Sequence, residues 1–200
     1  MSLYEYELAH QFDSLERQIA NTDNPLHRKI LKNYRLHGAL EVSGRYKELL
    51  APDMTVEHPH YRIHEGGKSI ILDGMEQVAG FYRSLIEARA SVMWVKEQDI
   101  AVNDKGFKGE AVFCQFIPST MLGESVCSSV KAGDDPNDIY LVKRTLAFIW
   151  PYDERGRMIG EHVYEDHASR EIIKPDPADI ITPERAAELL APVIAKELAY

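Results

Sequence analysis

The sequence predicts an α+β domain in which helices pack on one face of a bent antiparallel sheet. In the first third of the chain, apolar residues recur at helical spacing, and in the second half four segments alternate as strands do. Turn residues separate the strands, as in Asn103-Asp-Lys-Gly106. Helices followed by strands are typical of α+β folds, and 200 residues are enough for one domain with a sizeable core.

The helices are predicted from their periodicity and their start and stop signals. A mixed amphipathic segment predicts an N-terminal helix over 1–22. Asn24-Pro25 is a start signal for the next helix, whose apolar residues include Ile30, Leu31 and Tyr34. Gly38 is a candidate interruption of this helix, and Pro52 ends the one that follows. The later helices are predicted at 74–90 and 183–198.

The strands are predicted from alternation and β-forming residues. Residues 54–58 read as a short strand that Pro59 stops, and 60–72 as a loop. The main strands are predicted at 92–102, 107–118, 139–150 and 157–167, with hairpin turns at 103–106 and 153–156. Residues 121–138 form a long excursion between two strands, and connections of this length are often functional.

Composition excludes several functional classes. The formal net charge of −9 disfavours binding to nucleic acid. No run of about 18 apolar residues predicts a membrane span, and residues 1–20 do not resemble a signal peptide. The two cysteines, Cys114 and Cys127, form no metal-binding or redox motif, so we expect reduced thiols and a cytoplasmic location. No nucleotide-binding fingerprint is present, and no cofactor is expected.

Two segments resemble a known superfamily. They are residues 50–59 (LAPDMTVEHP) and 74–83 (GMEQVAGFYR), and the turn at 153–157 (DERGR) adds to the likeness. They look most like the ketosteroid isomerase and SnoaL-like branches of the nuclear transport factor 2-like superfamily. The resemblance covers about residues 30–168 and implies one cone-shaped α+β barrel over 1–200 that encloses a pocket, with helices 1–22 and 183–198 as additions. This fold hosts many functions, so it does not by itself assign one.

The resemblance also implies positions for catalytic residues. His58 stands where ketosteroid isomerases have their general base, an Asp, and Tyr34, 24 residues earlier, stands where they have an oxyanion-stabilising Tyr. Their second oxyanion donor, a protonated Asp, is replaced by Phe148. Each such donor is typically worth about 3 to 4 kcal/mol, so steroid-type enolisation is disfavoured. Glu165 is predicted to orient His58 or to return the proton.

Alternation along the strands predicts which residues face the pocket. By the resemblance, Glu110, Val112 and Phe116 point inward on one strand, and Glu161 lies with Glu165 on the inward face of the last strand. A register error of one residue would exchange the two faces. The remaining predicted substrate contacts are Arg144, Phe148 and Trp150 on the third main strand, and His60 and Tyr61 in the loop that follows Pro59.

These residues support several hypotheses. The first is a cofactor-independent acid/base enzyme acting on a hydrophobic, often aromatic, small molecule, with a lyase that performs retro-aldol or dehydrating chemistry preferred, as in diarylpropane lyases. A SnoaL-like polyketide cyclase or an isomerase is the alternative within this class. A non-catalytic binding or dimerisation module is the alternative outside it. A metal site on His58, His60 and His64 is disfavoured because Pro59 bends the chain between them. The resemblance also implies a homodimer.

Overall fold

A computed structural model describes residues 1–122, 135 and 137–198 of the chain. Most of the predicted excursion at 121–138, including Cys127, lies outside these residues. The described helices are α1 (Leu3–His10), α2 (Asp13–Ala20), α3 (Pro25–Val42), α4 (Tyr46–Leu49), α5 (Met75–Glu87) and α6 (Pro183–Leu198). None of these helices combines the length and apolar character that a membrane span requires.

The longest helix, α3, begins where its sequence signal predicts. The Asn24 side chain accepts hydrogen bonds from the backbone N–H groups of Leu26 (2.9 Å) and His27 (3.2 Å), and Pro25 occupies the first turn. Gly38 does not interrupt the helix. A Cβ atom there would lie 3.1 Å from the ring of Phe12, so the glycine allows the N-terminal segment to pack closely on α3.

In the described part of the chain, the sheet has six strands in the order β2-β1-β6-β5-β4-β3 and is curled but not closed. Only β1 and β6 run parallel, and every other neighbouring pair is antiparallel. The strands are β1 (His60–Glu65), β2 (Lys68–Asp73), β3 (Met93–Asn103), β4 (Gly106–Pro118), β5 (Ile139–Pro151) and β6 (His162–Ile173). With the helices, this sheet forms the cone-shaped α+β fold that the sequence predicted.

Two predictions between residues 54 and 72 were wrong. Residues 54–58 are not a strand: Thr55 makes one isolated bridge to Met158, and its hydroxyl donates to the carbonyl of Leu49 (2.8 Å). The predicted loop 60–72 is the β1–β2 hairpin. Gly66 and Gly67 both have positive φ, at 59° and 72°, as a two-residue hairpin turn requires.

The last strand also begins later than predicted. Asp153 accepts hydrogen bonds from the backbone N–H groups of Arg155 (3.0 Å) and Arg157 (2.8 Å), and this turn leads to an isolated bridge between Tyr152 and Met158. Residues 159–161 then bond to β1, and β6 pairs with β5 from His162 onward. Because β6 begins only at His162, Glu161 lies just before it, where its carbonyl bonds to β1 and its side chain contacts His37 of α3.

The face of β4 that meets the cavity is the opposite of the predicted one. Phe113 lies opposite Arg144 in the β4–β5 register, and Phe113, Gln115 and Ile117 line the cavity. Glu110, Val112 and Phe116 therefore point to the other face of the sheet. There Glu110 is exposed, and Phe116 packs against Tyr4 of α1 with 5.8 Å between ring centroids. The prediction that these three residues face the pocket was one residue out of phase.

Candidate active site

A cavity of about 410 Å³ lies between the concave face of the sheet and the helices α3 and α5. Its wall is largely apolar, with Leu146, Phe148 and Trp150 from β5 and Phe81 from α5. Cavities of this size and character are typical of small-molecule sites. Charged side chains concentrate in two groups on this wall. One contains Glu41 and Glu161, and the other contains Arg144 and Arg170.

The first group is a chain of buried hydrogen bonds that converges on Glu161. The hydroxyl of Tyr82 donates to Glu161 Oε1 (2.6 Å), and His37 Nε2 lies 3.1 Å from the same oxygen. Because the Tyr82 proton is directed at Glu161, the hydroxyl of Tyr61, 2.9 Å away, donates to Tyr82. This geometry fixes the Glu161 carboxylate in one orientation at the cavity wall.

Glu41 provides a second carboxyl group beside the first. It lies one helical turn after His37 on α3, and its Oε2 atom is 3.5 Å from His37 Nε2. Burial raises the pKa of Glu41, the nearby Glu161 charge raises it further, and only the contact with His37 opposes this. Glu41 lines the cavity and is the less tightly held of the two carboxyl groups, so it is the better placed to exchange a proton with a ligand.

His37 is the cation that holds the two carboxyl groups together. Burial alone would lower the pKa of His37, but the charges and hydrogen bonds of Glu161 and Glu41 raise it to about 9. The ring also packs against Trp150, with 4.7 Å between ring centroids. Its Nδ1 atom has no partner among the described residues, so Nε2 makes all the polar contacts of this side chain.

The raised pKa of His37 predicts a loss of stability at alkaline pH. A folded-state pKa of about 9 against an ordinary 6.5 means that protonation stabilises the folded state below pH 6.5, and that this stabilisation disappears as the pH rises through 9. At about 1.36 kcal/mol per pKa unit it amounts to about 3 kcal/mol at most, or about 6–12 °C in Tm. The raised pKa of Glu41 acts in the same direction over its own range.

Thermal melts of the wild type and of His37→Gln at pH 6 and pH 9.5 check this prediction. We expect the wild type to lose several degrees more than the variant over this interval. Equal losses in the two proteins would show that other groups cause the pH dependence.

The second group surrounds Arg144 and Arg170. Arg144 Nη2 donates to Glu65 Oε2 (2.9 Å) and to Gln115 Oε1 (2.8 Å). Arg170 Nη1 donates to both carboxylate oxygens of Glu165, at 2.8 and 3.0 Å. Each arginine is therefore paired with one carboxylate, and both guanidinium groups lie in the wall of the cavity.

The structure places His58 outside the cavity. Its side chain is 73% exposed, and its Nε2 atom lies 2.9 Å from Asp73 Oδ1 at the protein surface. His58 packs over Gly74 at the start of α5, where a Cβ atom would lie 3.1 Å from the histidine ring. The structure does not bring His58 together with Tyr34 or Glu165, so the predicted catalytic group is not assembled.

Tyr34 and Glu165 are both buried, in separate places. Tyr34 lines the cavity, and its hydroxyl donates to Gln98 Oε1 (2.8 Å). Burial raises the pKa of Tyr34, and the negative charges of Glu161 and Glu41 raise it further. Glu165 is held by Arg170 and by the backbone N–H of Gly66.

The predicted substrate contacts divide into two sets. Arg144, Phe148, Trp150 and Glu161 line the cavity. His60 does not, and bonds instead to Asp73 (3.2 Å), while Tyr61 is buried behind the wall in the hydrogen-bond chain. Among the described residues, no group of three or more His, Cys, Asp or Glu side chains is arranged to hold a metal ion.

Sequence reasoning missed His37, Glu41 and Tyr82. One signal was available for the first two. Residues three to four positions apart share one face of a helix, so Tyr34, His37 and Glu41 lie in line on α3. Two ionisable residues on a helix face that also carries a candidate cavity residue indicate a polar site in the core. No local signal indicated that Glu161 would meet this face.

Comparisons with known proteins define the fold. No protein-family model and no curated protein sequence matches the chain. Among solved structures, the epoxide hydrolase/cyclase-like enzyme SalBIII, described for pyran ring formation in polyether salinomycin, aligns with a TM-score of 0.52 at 9% identity. This alignment covers 72% of the present chain and 96% of SalBIII.

Two further solved structures align over similar lengths. An NTF2-like protein of Anabaena variabilis gives a TM-score of 0.47 at 14% identity, covering 72% of this chain and 92% of that protein. Bal32a, from a soil-derived mobile gene cassette, gives 0.47 at 12% identity, covering 72% and 95%. At these identities the likeness defines the fold only. The chain thus shares its fold with SalBIII, and the cone-shaped α+β architecture that the motifs at 50–59 and 74–83 predicted is confirmed.

Proposed function

We propose that this protein is an enzyme that binds a hydrophobic small molecule in its cavity and transfers a proton to or from it with its own carboxyl groups. The observation that carries the proposal is the pair Glu41 and Glu161, two carboxyl groups in the wall of an otherwise largely apolar cavity, held by the buried His37. A buried cluster of this kind is costly unless every group is paired, and such clusters concentrate at functional sites.

The two carboxyl groups have different surroundings and therefore different roles. Glu161 accepts hydrogen bonds from Tyr82 and His37, which orient it towards the cavity. Glu41 has a raised pKa, which favours its protonated form, and it has a weaker contact to His37, so it is the better placed of the two to donate a proton to a bound molecule. Pairs of carboxyl groups in unequal environments are a common arrangement for acid and base catalysis. Glu161 then acts as the base, or it stabilises positive charge that develops on the substrate.

Several reaction types share this proton transfer. Ring closure, isomerisation, dehydration and retro-aldol cleavage can all be catalysed by a positioned group that donates a proton to the reacting centre or accepts one from it. The lyase remains a prediction from the sequence, and the cyclase or isomerase remains its alternative. The description of SalBIII, which concerns ring formation, supports the cyclase alternative through the shared fold. The homodimer and the cytoplasmic location also remain predictions.

A ligand screen followed by a turnover assay tests the proposal. Phenols, diarylpropanoids, polyketide mimics, epoxides and steroids would be screened by thermal shift, and each hit incubated with wild type, Glu41→Gln and His58→Ala. We expect a compound that wild type and His58→Ala consume at rates within about threefold, while Glu41→Gln is slower by about 10²-fold or more.

The opposite pattern, with His58→Ala inactive and Glu41→Gln active, would return the catalytic role to His58. Hits that bind to all three proteins and are consumed by none would support the non-catalytic binding module instead.

A further inference from the structure

Arg144 carries hydrogen-bond donors that the described part of the protein does not use. Its side chain is 6% exposed and lies on the cavity face of β5. Nη2 donates to Glu65 and Gln115, but Nε and Nη1 have no partner among the described residues. A guanidinium group has five N–H donors, so three N–H groups of a buried cation lack an acceptor. Buried donors are nearly always paired, so an unpaired one on a residue of a cavity wall is a candidate contact for a bound molecule or water.

The guanidinium group is held in a fixed position. Gln115 Nε2 donates to the carbonyl of Ala90 (2.8 Å), so the amide oxygen of Gln115 must face Arg144. Glu65 contacts Arg144 through Oε2 and lies at the end of β1. Because both partners bind Nη2, the guanidinium group has a defined orientation, and its Nε and Nη1 atoms are enclosed in the cavity wall without an acceptor among the described residues.

Among the described residues, this end of the cavity has more positive than negative side chains. Arg144 and Arg170 are each matched by one carboxylate, from Glu65 and Glu165, and Lys68 of β2 adds one more cation to the wall. The Nε atom of Arg170 also lacks a partner among the described residues. Among the described residues this leaves one net positive charge, on the exposed Lys68, together with arginine donors that lack an acceptor, and a carboxylate is the usual partner of an arginine.

The carboxyl pair lies at the other end of the same strand face. Trp150, which packs against His37, is six residues from Arg144 on β5, or about 20 Å between Cα atoms. Leu146 and Phe148 lie between them and form an apolar wall. Glu41 and Glu161 present carboxyl groups at this end, whereas Arg144 presents a cation at the other, so a molecule with one anionic end should bind with that end at Arg144.

We propose that the substrate is an amphipathic carboxylic acid, with its carboxylate on Arg144 and its apolar body along β5, so that its reacting atoms face Glu41 and Glu161. This inference rests on the proposed function, because the carboxyl pair defines the reacting end. Arg144 thereby becomes the residue that determines specificity for an anionic substrate.

Isothermal titration at pH 7 with 6-phenylhexanoate and its neutral analogue 6-phenylhexanamide tests the inference. We expect the wild type to bind the acid at least tenfold more tightly than the amide. Arg144→Met should lose this preference while keeping its affinity for the amide. Arg144→Met leaves the Glu65 carboxylate without its partner, and the double variant Arg144→Met/Glu65→Gln removes that carboxylate. If both variants fold, both should lose the preference for the acid. Lys143→Gln, which removes an exposed cation on the opposite face of the same strand, should keep the full preference.

Three results would overturn the inference: equal affinity of the wild type for acid and amide, an unchanged preference in both Arg144 variants, or no binding of either probe at 10 mM. Its failure is distinguishable from failure of the proposed function. Turnover of a neutral compound that depends on Glu41 would keep the proposed function and remove the anionic substrate. A strong preference for the acid, with no difference in turnover between wild type and Glu41→Gln, would keep the anionic ligand and remove the proposed function.

Discussion

Replacing Glu161 by Gln is expected to reduce turnover by about 10²- to 10⁴-fold, the range that removal of a general acid or base typically costs. Gln keeps the shape of the side chain and can still accept the hydrogen bond from Tyr82, which spans 2.6 Å in the wild type. It removes the negative charge that His37 needs. The loss should therefore appear mainly in kcat, with a smaller change in KM.

A second readout for Glu161→Gln needs no substrate. The Glu161 charge and hydrogen bond are the largest influences that raise the pKa of His37 to about 9. In the variant, the effect of burial, which lowers the pKa of His37, is no longer fully offset by Glu161. An NMR titration of the His37 ring should therefore give a midpoint well below that of the wild type.

The matched control is Glu110→Gln, which makes the same chemical change on the exposed face of β4. It should change neither turnover nor the titration of His37. If Glu161→Gln keeps more than a tenth of wild-type activity and leaves the His37 midpoint in place, the proposed role of the carboxyl pair is wrong.

Replacing Gly160 by Ala is expected to destabilise the protein by at least about 3 kcal/mol, or about 6–12 °C in Tm. A Cβ atom at Gly160 would overlap the carbonyl oxygen of His60 and lie 2.8 Å from its carbon. Neither backbone can move freely, because His60 N–H donates to the Ile159 carbonyl (2.9 Å) and Arg62 N–H donates to the Glu161 carbonyl (2.7 Å). The methyl group must therefore separate β1 from the chain that positions Glu161.

Gly80→Ala supplies a control for this experiment. Gly80 lies inside α5, and a Cβ atom there would meet nothing within 4 Å. Ala is the better helix former by roughly 0.5–1 kcal/mol, so this variant should melt slightly above the wild type. Thermal or urea unfolding measures both changes. Melting of both variants within about 2 °C of the wild type would show that the β1–β6 contact tolerates a side chain.

Local signals were sufficient where the physical cause is local. Asn24 and Pro25 start α3 because the capping side chain and the fixed φ of proline act within one turn. The turn at 103–106 joins β3 to β4 as predicted, because its residues suit a tight reversal. Arg144, Phe148 and Trp150 of β5 all line the cavity, since alternate residues of a strand share a face, and their contact with a substrate stays a prediction.

Local signals failed where two faces look alike. On β4, Val112, Cys114 and Phe116 are as apolar as Ala111, Phe113 and Ile117, because α1 covers part of the outer face. The alternation of residues then does not show which face of β4 meets the cavity, and the resemblance predicted the wrong face. The β1–β2 hairpin was missed for a related reason. The side chains of β2 are largely exposed, so its sequence lacks the alternation of buried and exposed residues that predicts a strand. The Gly66-Gly67 pair was nevertheless a usable signal for the turn.

By itself, the sequence determined the α+β class, the cone-shaped fold around a pocket, and the main helices and strands. Only the tertiary structure decided where the ionisable groups meet. His37 and Glu41 lie on α3, and Glu161 directly precedes β6. Packing of the helix on the curled sheet brings Glu161 within 3.1 Å of His37 Nε2, which also lies 3.5 Å from Glu41. The same packing leaves His58 at the surface with Asp73. The physical reason is that sequence patterns report the period and the burial of one element, whereas a site depends on contacts between elements far apart in the chain.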